Sequence, residues 1–172
     1  MAYLFYLIIS IILIIVQTSV FPLIAPQIIF YDLMLLFVIY LATYKELKEG
    51  FPTILIISIV MDSLSGAPVG LYLTCYIWIF FGVRWLSGFL DSGSFILLPV
   101  AVAGGVFLEN LFFVLPFFAE ETKFYVTAVA IYRVLVNVLC AVITGPFIIL
   151  VLHTVQERWE NIFRYFFENK SV

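Results

Sequence analysis

A few charged and amide side chains interrupt an otherwise apolar chain: Asp32, Asp62, Glu109 with Asn110, and Arg133 with Asn137. In a hydrocarbon environment each charge costs about 2.5–3.5 kcal/mol on insertion scales, so each needs a partner or a task. The chemistry open to this set is ion pairing and hydrogen bonding between helices, or the polar lining of a pocket. The signatures of catalysis are missing. His153 is the one histidine, with no Cys or carboxylate at ligand spacing, and is read as a helix-end residue near headgroups rather than a metal ligand. No serine has a histidine base at matching depth. No D-x-x-D motif offers magnesium and a diphosphate a seat. None of these side chains calls for a cofactor.

The elements that must position these residues are set by composition. The 172 residues are 65% hydrophobic and 11% charged, with a mean hydropathy of +1.21. A soluble domain keeps roughly 25% charged residues, so the expected solvent is a bilayer and the expected fold is all-α and polytopic, with about six transmembrane helices. The formal charge is −3 with both signs interspersed, which gives no nucleic-acid footprint. Cys75 and Cys140 both fall in apolar runs and are expected to be free, small and buried. The first run lacks a basic leader and an A-x-A-like site, and reads as a retained helix.

Six helices are expected, over residues 3–20, 28–44, 52–64, 70–90, 95–118 and 124–153. Pro22 and Pro26 stop the first. Lys45 to Gly50 forms the clearest polar loop. The third is short, and either begins earlier, tilts or is partly re-entrant. Gly66, Pro68 and Gly70 make a tight connection. Gly145-Pro146 should kink the sixth. Residues 1–153 thus form a transmembrane domain and 154–172 an amphipathic cytoplasmic tail. In the tail Val155, Trp159, Ile162, Phe163 and Phe166 share one helical face, suited to lying in the membrane interface; the alternative is a cytoplasmic extension of helix six with an apolar side for a partner. Ala101 to Gly105 has the small-residue spacing that lets helix backbones approach.

Basic residues retain the cytoplasmic side. Lys45, Lys48, Arg84, Arg158, Arg164 and Lys170 all belong to even loops or the tail, so both termini are expected inside. On that topology Glu109 and Arg133 each lie about 12–14 Å below the outer ends of their helices, at 1.5 Å per residue, which suggests an ion pair. Asn137 lies one turn below Arg133 on the same face, and Asp62 competes as a partner. The cluster Asp62, Glu109, Arg133, Asn137 either locks the bundle or lines an outward-facing pocket. Asp32, near the outer end of helix two, is expected to reach water as an interfacial residue.

The stretch Asp62-Ser63-Leu64-Ser65-Gly66-Ala67-Pro68-Val69-Gly70 resembles the D-x-x-S-G-x-P-x-G motif of the rod-shape-determining membrane protein MreD family. Val16-Gln17-Thr18-Ser19 resembles the family's close of helix one, and Tyr31-Asp32-Leu33-Met34 its opening of helix two, where the family usually has a Pro-Asp pair. Leu135-Val136-Asn137 followed by Thr144-Gly145-Pro146 resembles its final helix. The chain departs along helix three, where the family tends to carry glycines and this sequence has Pro52 to Ser58. The resemblance implies a non-enzymatic scaffold of the bacterial cell-elongation, or rod-shape and peptidoglycan-synthesis, complex in the inner membrane. It would bind MreC and, through it, MreB, RodA and its transpeptidase partner. It also implies a fold similar to the S components of energy-coupling-factor vitamin transporters, hence the alternative of small-molecule uptake. Against that alternative, helix one has no alanine between Tyr3 and Val16, where S components usually present an A-x-x-x-A strip.

Overall fold

The computed structural model describes the backbone of residues 2–20, 23, 32–66, 68–89, 96–119 and 128–168, and the side chains of 5–19, 23, 32–66, 68–89, 96–113 and 134–159. Among these residues the fold is all-helical. The six α-helices are α1 (Ala2–Ile15), α2 (Leu33–Tyr44), α3 (Leu47–Ser65), α4 (Leu71–Phe89), α5 (Leu97–Ala119) and α6 (Ala128–Glu168). A π-helical turn, Val16–Val20, continues α1. One stretch, Val134–Trp159 of α6, is long and apolar enough to cross a membrane by length and composition.

Helix α2 is the axis of the bundle. All ten residues from Leu33 to Ala42 are buried, because α1, α3, α4, α5 and α6 each pack against it. Around it α1 adjoins α3, α3 adjoins α4, α4 adjoins α5 and α5 adjoins α6. The ring contact of Phe5 with Trp159, 5.7 Å between centroids, brings α6 back to α1. Glycine lets two of these contacts close. A Cβ on Gly145 of α6 would meet Val102 at 2.9 Å and Leu36 at 3.2 Å, and one on Gly105 would meet Ile39 at 3.1 Å. The small residues of α5 therefore do serve close approach, with Ala101 and Gly105 both buried.

Several boundaries differ from the sequence expectation for local physical reasons. Helix α2 begins at Leu33, since Asp32 is extended and caps the helix with its own side chain. Helix α3 begins at Leu47, so the charged run Lys45 to Gly50 is mostly a helical first turn, not a loop. A first turn tolerates it because its N–H groups need no helical partner. Pro52 sits one turn further in and leaves the Lys48 carbonyl without its helical donor. Helix α6 runs unbroken through Pro146 and on to Glu168. The start of the tail is thus part of the bundle, with Gln156 buried and Trp159 against Phe5. Cys75 is free and buried as expected; Cys140 is free but exposed on the outer side of α6.

The perimeter of the bundle is apolar. Exposed large hydrophobic residues include Ile11 and Ile15 on α1, Ile56 and Ile59 on α3, Trp78 and Trp85 on α4, Phe107 on α5, and Leu139, Ile143 and Phe147 on α6. A monomeric soluble protein rarely exposes contiguous apolar area on this scale.

Candidate functional site

The polar side chains gather at the two ends of the bundle. At one end Asp32 is 6% exposed, not at a water-facing margin as its position in the sequence suggested. Its Oδ1 accepts from the Met34 amide at 2.8 Å, and its Oδ2 accepts from the Tyr76 hydroxyl on α4. Gln17, carried by the π-turn, supplies a further hydrogen bond to Asp32, and its Oε1 accepts from the Leu33 amide at 3.2 Å. A carboxylate out of water is tolerable when its lone pairs are filled in this way.

Glu109 belongs to the same end. Gly105 of α5 lies beside Ile79, and Phe113 packs on Tyr72 with ring centroids 5.2 Å apart. In that antiparallel register Tyr76 is level with Glu109. By the same argument Gly145 against Val102 sets Asn137 of α6 level with Asn110 of α5. Asn110 donates to the Val106 carbonyl at 2.7 Å. The Asn137 Oδ1 is buried, with no hydrogen-bond partner among the described residues. The side chain of Arg133 lies outside the described residues, and with it the expected Glu109–Arg133 pair.

Asp62 stands apart from that cluster and clamps the α3–α4 turn. Its carboxylate accepts from the amides of Tyr72 at 2.9 Å, Gly70 at 3.1 Å and Leu73 at 3.4 Å. The Tyr72 and Leu73 amides belong to the first turn of α4 and the Gly70 amide directly precedes it; such amides have no helical acceptor of their own and carry the positive end of the helix dipole. The reversal needs two left-handed residues, Gly66 at φ 66° and Gly70 at φ 92°. A Cβ at either would meet nothing within 4 Å, so backbone conformation, not space, demands glycine there. The Pro68 carbonyl accepts from Leu71 at 3.1 Å and completes the turn.

The opposite end holds a second buried layer that the sequence reading missed. The Tyr40 hydroxyl donates to Gln156 Oε1. Gln156 Nε2 lies 3.5 Å from the Tyr6 oxygen, and the Tyr6 hydroxyl lies 3.4 Å from Glu49. Helices α1, α2, α3 and α6 meet in this chain of polar groups. The only hint in the sequence was a tyrosine or glutamine inside each apolar or amphipathic run. Nearby, Arg84 Nη1 donates to the Lys45 carbonyl at 2.8 Å. His153 packs on Tyr44 with ring centroids 4.5 Å apart and lies 3.7 Å from Glu157. A groove of about 270 Å³ opens between α4 and α5, lined by Gly82, Val83, Trp85, Ala101, Gly104 and Leu108 among others.

Compared with protein families, with curated proteins and with solved structures, the chain matches none.

Proposed function

We propose that this chain is a polytopic protein of the bacterial inner membrane and a non-enzymatic scaffold of the cell-elongation complex, holding an MreC-like single-span protein. The observation that carries the reading is the occupation of the strongest polar side chains by the fold itself. Asp62 is spent on three amides, Asp32 on Tyr76 and Met34, and Gln156 on Tyr40. Among the described residues, Glu109 and Asn137 apart, what is left to offer a partner is surface, and the surface is apolar on every outer helix. The motif that resembles the MreD family, Asp62 to Gly70, has a clear architectural use as a helix-joining clamp, which suits an assembly role.

The apolar perimeter favours lipid as the solvent of α1 and α3–α6, with α2 enclosed. The orientation follows from the basic residues. Lys45, Arg84 and Arg158 gather at the end that holds Gln156, away from the Asp62 turn. Under the positive-inside rule that end faces the cytoplasm, together with both chain termini. The test is affinity purification from mild detergent with identification of the co-purifying chains. An MreC-like single-span protein is the expected partner.

A second reading, the substrate-binding S component of a vitamin transporter, is favoured by the buried Asn137 oxygen near the level of Glu109, which has no hydrogen-bond partner among the described residues. A small polar ligand would fill that need. Co-purification with an ATPase module and a bound vitamin, without an MreC-like chain, would decide for it.

A further inference from the structure

The outer helices do not present equal apolar heights. The outward side of α3 carries Ile56, Ile59 and Leu64, exposed at 60%, 58% and 57%. It is bounded at one end by exposed Glu46 and Lys48, and at the other by exposed Ser65, Gly66 and Pro68. From Phe51 to Leu64 this side spans about 21 Å at 1.5 Å per residue, with Asp62 engaged by the amides of the α3–α4 turn. Across the ring, the run of α6 between Arg133 and His153 spans about 28 Å. The interior repeats the pattern, since on α2 only about 12 Å of helix separates Asp32 from Tyr40, the members of the two buried polar layers.

A typical hydrocarbon core is about 30 Å thick. Tilting α3 would shorten its height further, so tilt offers no remedy. The charges of Glu46 and the cap at Asp62 fix where the water boundary must come on that side. We propose that the α3 side holds the surrounding bilayer thin, and that its partners are phospholipids with short acyl chains, while the α6 side takes lipids of ordinary length. The proposal rests on the membrane reading above. A bilayer meets such a wall by losing thickness over the first lipid shell, at a modest cost per ångström. The protein then stands in a membrane with a slope from one flank to the other.

Tryptophan reporters on the full-length chain test this. Trp78, Trp85 and Trp159 are replaced by Phe, and a single Trp is installed by Ile59→Trp on α3 or Ile143→Trp on α6. Val60→Trp serves if the first variant does not fold, with helicity checked by circular dichroism. Each variant is reconstituted in phosphatidylcholine bilayers, and quenching by brominated lipids gives the relative binding of dimyristoleoyl and dierucoyl chains at that side. The expected result is a short-chain preference of at least about twofold at α3 and none, or the reverse, at α6. The same preference at both reporters overturns the proposal. So does quenching at α6 with none at α3, which would mean that a second copy or another protein covers α3. Absence of quenching at both would overturn the membrane reading itself, and the proposal with it.

Discussion

Tyr76 on α4 donates its hydroxyl hydrogen to the carboxylate of Asp32, which caps α2. The two residues are 44 apart in the chain and both are buried. One side chain thereby starts the central helix and fastens it to the helix that packs against it.

Tyr76→Phe removes one donor to the buried Asp32 carboxylate, leaving it the Met34 amide and Gln17. A loss of about 1–3 kcal/mol is expected, the usual cost of an orphaned buried acceptor. Asp32→Asn alone should also destabilise, and the double variant should cost less than the sum of the two. Thermal melting in detergent measures this, and strict additivity would show that the contact contributes nothing.

Asp62→Ala strips three amides of their acceptor and should cost about 1–3 kcal/mol. Partner binding should weaken with it, because the turn that the substitution loosens joins two outer helices. Gly66→Ala and Gly70→Ala should each cost on the order of 1 kcal/mol through backbone strain. Gly82→Ala, in open space at negative φ, should not. If Gly82→Ala proves as harmful as the other two, backbone conformation is not what the turn requires.

Gly145→Val should be severe. Its branched side chain would begin 2.9 Å from Val102, and overpacking typically costs about 1–3 kcal/mol. Ile143→Ala, at a residue 76% exposed, should change the detergent melting temperature little.

Arg133→Leu is expected to weaken the bundle less than Arg133→Ala, since Leu still fills space when the charge is lost. Glu109→Gln should partly rescue either change. Additive effects of the Glu109 and Arg133 substitutions on melting would rule out an ion pair between them.

In a chain freed of Cys75 and Cys140, a cysteine installed by Lys48→Cys should resist an impermeant thiol reagent added from outside the cell. One installed by Pro68→Cys should react. The opposite result would invert the proposed topology.

Helices α1, α4 and α5 were legible nearly to the residue, because long apolar runs with Pro or Gly at their margins leave few alternatives. The α3–α4 turn was legible too, since Gly66, Pro68 and Gly70 advertise a reversal and Asp62 precedes it at a reachable distance. The start of α3 was legible only as one of several alternatives, an earlier beginning among them, because a charged first turn looks like a loop. The fate of the tail was left between two alternatives, and the less favoured one, an extension of the last helix, is what forms, because an apolar stripe has the same period whether it meets lipid or another helix, as Trp159 meets Phe5. The two buried polar layers were hidden most. Tyr40 finds Gln156 at a separation of 116 residues, and no local pattern in a sequence encodes which distant residue completes a hydrogen bond.

On the proposed membrane reading, a twelve-residue helix with no outward side is not a stable resident of the bilayer by itself, for it is about 18 Å long against a core of about 30 Å. Helix α2 must therefore await α4 and α6, both synthesised after it, before it has a surface to settle on. The order of synthesis and the order of assembly diverge. Helix α2 is synthesised before two of the walls that enclose it, and a chain truncated before α6 should be handled by the cell's quality control as an unfinished protein.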